Sequence, residues 1–331
     1  MDKIKTGLSI GDPNGVGLEI ILSVFEDKSL YEFIIPILYA PRSIVDFQIE
    51  HFNKEIKLNY INNTQDIKEE VLNVVETSQY DYKVNFGFQC KKAGAVSVES
   101  LTRCIKAIKV GVIDTLVTAP INKISVQSEN FKFPGHTDYL NENFKGNSLM
   151  FMVANDLRVA LVTDHIPINK VSAMISREHL ISKTNQVLLS LKDDFGILKP
   201  KIAFLGLNPH SGDGGVIGNE DDCIIKPTIS EINKNQTKAY GPFASDSFFA
   251  SEKHKEYDAI IAMYHDQGLI PFKILSFGNG VNFTAGLNLI RTSPDHGTAF
   301  DIAGKGIANP NSFKAAILES IRIFKYRHQL K

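Results

Sequence analysis

Three histidines sit just beyond three separate β-like runs: His165 after LVTD, His210 after FLGLNP and His265 after IAMY. Imidazole nitrogens bind divalent transition metals, and three of them leave coordination positions open for a substrate. The intervals of 45 and 55 residues are far too long for a local metal knuckle. A shared site must therefore be made by the fold, or by two subunits together. Asp164 precedes His165 and Asp266 follows His265, so either carboxylate can orient an imidazole from outside the ligand set. His51, His179, His254 and His328 lie in polar contexts and are expected on the surface.

Three further segments carry chemistry. Ile10 to Glu19 reads IGDPNGVGLE, with glycines that let a ligand approach the backbone and a helix start that favours anions. Gly11, Gly15 and Gly17 do not have the dinucleotide spacing, and a plain strand-to-helix turn explains them equally well. Pro134 to Asp138 reads PGHTD, a turn opening a helix. There His136 and Thr137 can hold a phosphate or carboxylate, or Thr137 or Asp138 can simply cap the helix. The stretch from Tyr264 to Pro310 concentrates the donors Lys273, Asn282 and Arg291, suited to a phosphorylated or carboxylated substrate, and ends in a loop rich in Gly, His and Asp.

The elements that must position these residues alternate along the chain. Strands are predicted at Ile4–Ile10, Ile34–Tyr39, Ile56–Ile61, Thr115–Thr118, Leu149–Val153, Arg158–Val162, Ile202–Leu207 and Tyr257–Ala262. Helices are predicted at Val16–Phe25, Pro41–His51, Val96–Lys109, Arg177–Leu191, Asp221–Ile232 (with a kink at Pro227) and Phe313–Arg327, and 62–90 reads as an irregular polar stretch. Such alternation predicts an α/β architecture with a mostly parallel sheet. A chain of 331 residues suggests two domains, and no Pro/Gly/Ser-rich linker divides it, so the chain is expected to cross between lobes more than once. The expected lobes are 1–130 with 255–331, and 131–254.

Composition removes several classes of function. The net charge of −1 offers no field for nucleic acid or an anionic membrane. The longest apolar run, Phe33–Ala40, is far shorter than the ~20 residues of a membrane span. The amino terminus reaches a Gly-Asp-Pro turn too early for a secretory apolar region, so a cytoplasmic location is expected. Cys90, Cys104 and Cys223 are odd in number and widely spaced, which fits a reducing compartment rather than a disulfide framework.

The motifs GDPNGVGLE, VTAPINK, PGHTDYL, NPHSGDGG, AMYHDQG and LIRTSPDHGTAFDIAG together resemble the 4-hydroxythreonine-4-phosphate dehydrogenase (PdxA) family of vitamin B6 synthesis, in order from about residue 8 to 310. The segment HGTAFDIAGKGIANP is also similar to the cofactor loop of isocitrate and isopropylmalate dehydrogenases. The resemblance implies their two-lobed fold, with mostly parallel sheets and an active-site cleft between lobes. It implies NAD-dependent oxidation of the C3 hydroxyl of 4-phosphooxy-L-threonine and decarboxylation to 3-amino-2-oxopropyl phosphate, with NADP a second cofactor choice because of Lys305. It assigns His165, His210 and His265 to one divalent ion (Zn, Mg, Co, Mn or Ni) shared between the subunits of a homodimer. His136, Thr137, Lys273, Asn282 and Arg291 match substrate-binding positions. His296, Gly297, Asp301 and Asn309 match the cofactor loop, and Asp246 or Lys273 is the candidate base.

Asp138, Asn14 and TDHIPI depart from the family pattern. Those departures keep a near relative in view, a dehydrogenase of 4-phospho-D-threonate or a related phospho-hydroxy acid. A phosphate acyltransferase-like enzyme and a non-catalytic metabolite-binding protein are the readings from other classes.

Overall fold

Short branched and aromatic runs become strands, and amphipathic runs between them become helices. The structure, a computed structural model, describes residues 3–77 and 82–329. In chain order the first elements are β1 (Ile4–Ser9), α1 (Gly17–Glu26), β2 (Ile34–Tyr39), α2 (Arg42–Phe52), β3 (Leu58–Ile61), β4 (Leu72–Val75), α3 (Lys91–Lys109), β5 (Thr115–Thr118), α4 (His136–Asn143), β6 (Gly146–Ala154) and β7 (Leu157–Leu161). There follow α5 (Val171–Met174), α6 (Arg177–Asp193), β8 (Lys201–Leu205), α7 (Lys226–Lys234), β9 (Lys238–Phe243), α8 (Ser245–Ala250), β10 (Ala259–Ala262), α9 (His265–Ser276), β11 (Val281–Leu287), β12 (Arg291–Pro294) and α10 (Asn311–Gln329).

The chain divides into two compact units, residues 1–146 with 287–325 and residues 147–286 with 326–331. The first unit has strand order β3-β4-β2-β1-β5-β12, and its hydrogen-bonded pairs are parallel. Strands β2 and β5 are buried along their whole length, which is why neither shows the polar alternation of a half-exposed strand. The chain passes from β1 to β2 on one side, and β5 lies on the other. The loops after β1 and β5 thus flank a switch point, the place where open α/β sheets bind ligands.

The second unit has order β11-β6-β7-β10-β8-β9, with an antiparallel β6–β7 pair and parallel pairing from β7 onward. Strand β10 is the middle strand: Ile260 pairs with Val159 of β7 and with Ala203 of β8. Its core gathers Val159, Leu161, Ala203, Leu205, Ile260 and Phe272.

The units group residues differently from the expected lobes. The first continues to Gly146, and 255–286 belong to the second, because β10 is inserted between β7 and β8. The stretch 62–90, expected to be irregular, contains β4, whose Leu72, Asn73 and Val74 are buried; its residues 78–81 lie outside the described residues. Asn73 interrupts the apolar residues of β4, and it is buried through bonds to Pro36 O and Lys68 O that nothing local reveals. The predicted helix at 221–232 is a π-helical turn, Asp221–Ile225, followed by α7, with Pro227 in the first turn, where its missing N–H costs nothing.

Candidate active site

In the second unit the loops after β7, β10 and β8 leave the same edge of three adjacent parallel strands, and they carry His165, His265 and His210. His265 is the first residue of α9, and its Nδ1 lies 2.7 Å from Asp266 Oδ1. A carboxylate there fixes the tautomer with Nδ1 protonated and leaves Nε2 as the nitrogen that carries the lone pair. The His165 and His265 rings are 5.8 Å apart between centroids. Asp164, expected to orient an imidazole, accepts the main-chain N–H of His165 at 2.8 Å. His210 opens a run of left-handed residues, with φ of 52°, 53°, 82°, 45° and 66° from His210 to Gly214. Among the described residues no three His, Cys, Asp or Glu side chains gather as a metal-binding group within this one chain. The facing imidazoles of His165 and His265 are the donor type a divalent transition ion takes, so this pair fits part of such a site.

In the first unit Arg291 begins β12 and is 3% exposed. Its Nε and Nη2 donate to Thr118 Oγ1 at 3.0 and 2.6 Å, and burial pulls the guanidinium down to about 9. His136 begins α4 beside it. Burial first, and then the Arg291 charge, hold its imidazole well below the usual histidine range, so the ring is neutral near pH 7. His136 Nε2 is buried and has no hydrogen-bond partner. Gly135 is the N-cap with no side-chain cap bond, so the capping reading of Thr137 and Asp138 is not realised. A buried cation, a neutral imidazole with an unused nitrogen and the first turn of a helix form an anion cradle. Lys273, exposed in the last turn of α9, and Asn282, half-buried in β11, belong to the second unit, as does Asp246, exposed in the first turn of α8.

The loop from Asp295 to Pro310 is tied to the first helix of its unit by hydrogen bonds. Val16 N donates to Thr298 O at 3.0 Å, and Ala308 N donates to Glu19 Oε1 at 2.9 Å. A Cβ on Gly15 would come within 2.8 Å of Thr298 O, so the first glycine motif is a close-approach device. Within the loop His296 Nδ1 lies 2.9 Å from Gly297 O, and its Nε2 is buried without a partner. Gly297 faces open space, and Asp301 is exposed. Asn309 Oδ1 accepts Asn311 N at 2.9 Å at the start of α10, a local helix-start contact.

The profile of "Pyridoxal phosphate biosynthetic protein PdxA" matches residues 32–319. The chain belongs to the PdxA family. A 4-hydroxythreonine-4-phosphate dehydrogenase of Bacteroides thetaiotaomicron is 44% identical over all of this chain and 91% of its own length. The crystal structure of the Klebsiella pneumoniae 4-hydroxythreonine-4-phosphate dehydrogenase superposes with a TM-score of 0.85 at 28% identity, covering 98% of each chain. A Streptococcus pyogenes phosphotransacetylase structure, at TM-score 0.51 and 12% identity over 98% of this chain and 94% of its own, shares the fold alone.

Several residues that shape this PdxA chain were not singled out by residue type. Thr118, at the end of β5, bonds Arg291 across 173 positions of sequence. Asn14, noted only as a departure, is fully buried: it accepts from Tyr82 Oη and Asn85 N at 2.9 Å each, and its Nδ2 donates to Phe88 O at 2.7 Å. Asp12 is fully buried too, with Oδ1 accepting Asn14 N and Oδ2 unpartnered, and burial pushes its carboxyl up to about 6. His254, expected on the surface, is 8% exposed, because the 3₁₀ turn Lys253–Glu256 presses its ring against Phe249 at a centroid distance of 5.8 Å.

Proposed function

We propose that this protein oxidises the C3 hydroxyl of 4-phosphooxy-L-threonine with NAD, aided by a divalent ion, and that the product loses CO₂ to give 3-amino-2-oxopropyl phosphate for pyridoxal 5′-phosphate synthesis. The observation that carries this reading is the cradle of Arg291, Thr118 and neutral His136, a site built for an oxyanion on a small substrate. It is joined by 44% identity to a relative named for this dehydrogenase. NAD supplies the hydride acceptor, and the ion lowers the pKa of the alcohol and steadies negative charge.

The chain's own residues bind and orient. His165, His210 and His265 are the proposed ligands of the ion, with Asp266 fixing the His265 ring. Arg291, His136 and Thr137, with Lys273 and Asn282, hold the phosphate and carboxylate groups, so that C3 is presented in one orientation. His296, Gly297, Asp301 and Asn309 line the proposed cofactor loop, and Asp246 or Lys273 takes the hydroxyl proton. The functional unit is a homodimer in which both subunits contribute metal ligands. Exposed apolar residues support this: Ile270 and Ile274 on α9 and Phe277 just after it are 57%, 64% and 81% exposed, and Val216, near His210, is 82% exposed.

The test is NADH formation followed by absorbance, with 4-phosphooxy-L-threonine and 4-phospho-D-threonate, with NAD and NADP, and with and without chelator. Turnover of the L-threonine substrate that chelation abolishes is expected. Activity with phospho-D-threonate alone overturns the substrate assignment, and turnover without any nicotinamide cofactor overturns the reaction class.

A further inference from the structure

The left-handed run at His210 is unusual for what it contains. His210, Ser211 and Asp213 are not glycines, yet all three have φ between 45° and 53°. L-residues rarely adopt this region, so the surroundings must impose it. The groups that impose it are visible. Asp221 is fully buried, and its Oδ1 accepts Leu207 N at 2.9 Å. Its Oδ2 accepts both Asn208 N and Asn208 Nδ2 at 3.0 Å. These bonds fix the two residues that lead into Pro209 and His210. Space is equally constrained: a Cβ on Gly206 would lie 2.9 Å from Asp221 Oδ1, and one on Gly212 would meet Gly218 O at 2.7 Å.

Glu220 adds a second connection. Its Oε2 accepts Asn208 Nδ2 at 2.9 Å, and its Oε1 accepts Ser172 Oγ at 2.6 Å. Ser172 lies in α5, on the same connection that leaves β7 through His165. One carboxylate thus bonds the His210 loop with one oxygen and the His165 connection with the other.

We propose that Glu220 and Asp221 are positioning residues for the metal site: Asp221 holds the strained backbone that presents His210, and Glu220 locks that loop to the segment following His165. The inference rests on the proposed role of the histidines as metal ligands. It follows from the geometry because neither acid needs to touch metal or substrate. Asp221 spends its acceptors on Leu207 and Asn208, and Glu220 spends its own on Asn208 and Ser172.

The experiment measures Co²⁺ affinity by chelator competition, with the d–d absorption spectrum of the bound ion as a geometric readout. Asp221→Asn places an NH₂ group against the Asn208 donors without changing size, and is expected to weaken Co²⁺ binding about 10–100-fold and shift the spectrum. Glu220→Ala and Ser172→Ala cut the bridge and are each expected to weaken binding about 3–10-fold. The double variant should be no weaker than the weaker single, because both remove one interaction. Near-UV circular dichroism identifies folded variants. Wild-type affinity and spectrum in folded Asp221→Asn overturn the proposal. If that variant does not fold, wild-type affinity in both bridge variants overturns it instead. Absence of Co²⁺ binding by the unaltered protein is a different result and overturns the metal-site reading beneath it.

Discussion

At Arg291 the guanidinium has left water, and the Thr118 hydroxyl accepts from both its Nε and its Nη2. Arg291→Lys exchanges a planar fork for a point charge and should raise KM for the phosphorylated substrate about 10–100-fold, with a smaller fall in kcat. Steady-state kinetics in both parameters checks this; a loss confined to kcat would contradict a binding role. Asp12 bears on stability instead. Its carboxyl is raised from 3.8 to about 6, so between those values the folded state holds a proton that the unfolded state has released. Stability from this group therefore falls as pH rises through that window and stays low above it, by up to about 3 kcal/mol. Asp12→Asn should have a urea midpoint close to wild type at pH 4, and a higher one from pH 6.5 upward. The histidine trio and His136 were legible as residue types at strand ends and a helix start, and Arg291 as a donor type in the stretch from Tyr264 to Pro310, although the strand it begins was not predicted. Asp12, Thr118 and Asp221 were not, because nothing local reveals which acid will be buried or which hydroxyl will face a distant guanidinium.

Elements were legible where a period or an apolar run exists: β2 matches the sequence expectation residue for residue, and so does the short β5 around Leu116 and Val117. They were lost where tertiary contacts decide. Helix α3 begins at Lys91, five residues before its apolar period starts, because Cys90 Sγ accepts Ala93 N at 3.4 Å. That early turn places Gly94 against the segment after β5, where a Cβ would lie 2.0 Å from Ser125 O. In an isolated helix, Gly→Ala gains about 1 kcal/mol. Here the sign should reverse: Gly94→Ala is expected to destabilise by roughly 1–3 kcal/mol as backbone is pushed aside. Urea denaturation reads the sign directly, and a stabilised variant would show that the contact yields.

For the whole molecule the proposed shared site makes a prediction about mixtures. His165→Ala and His210→Ala homodimers should both be inactive. If each site takes these two ligands from different subunits, mixed dimers keep one intact site, and random exchange should restore on the order of a quarter of wild-type activity. Continued inactivity after verified subunit exchange would place both ligands in one chain. The insertion of β10 between β7 and β8 has a consequence for synthesis. Strands β7 and β8 are complete by Leu205, but the strand that joins them ends only at Ala262. A nascent chain must keep two pairing edges apart over that interval, with the exposed backbone that invites association between chains. When β10 arrives it closes the gap and carries His265 behind it, so the β7-β10-β8 run and the set of histidine loops are completed in a single late event of folding.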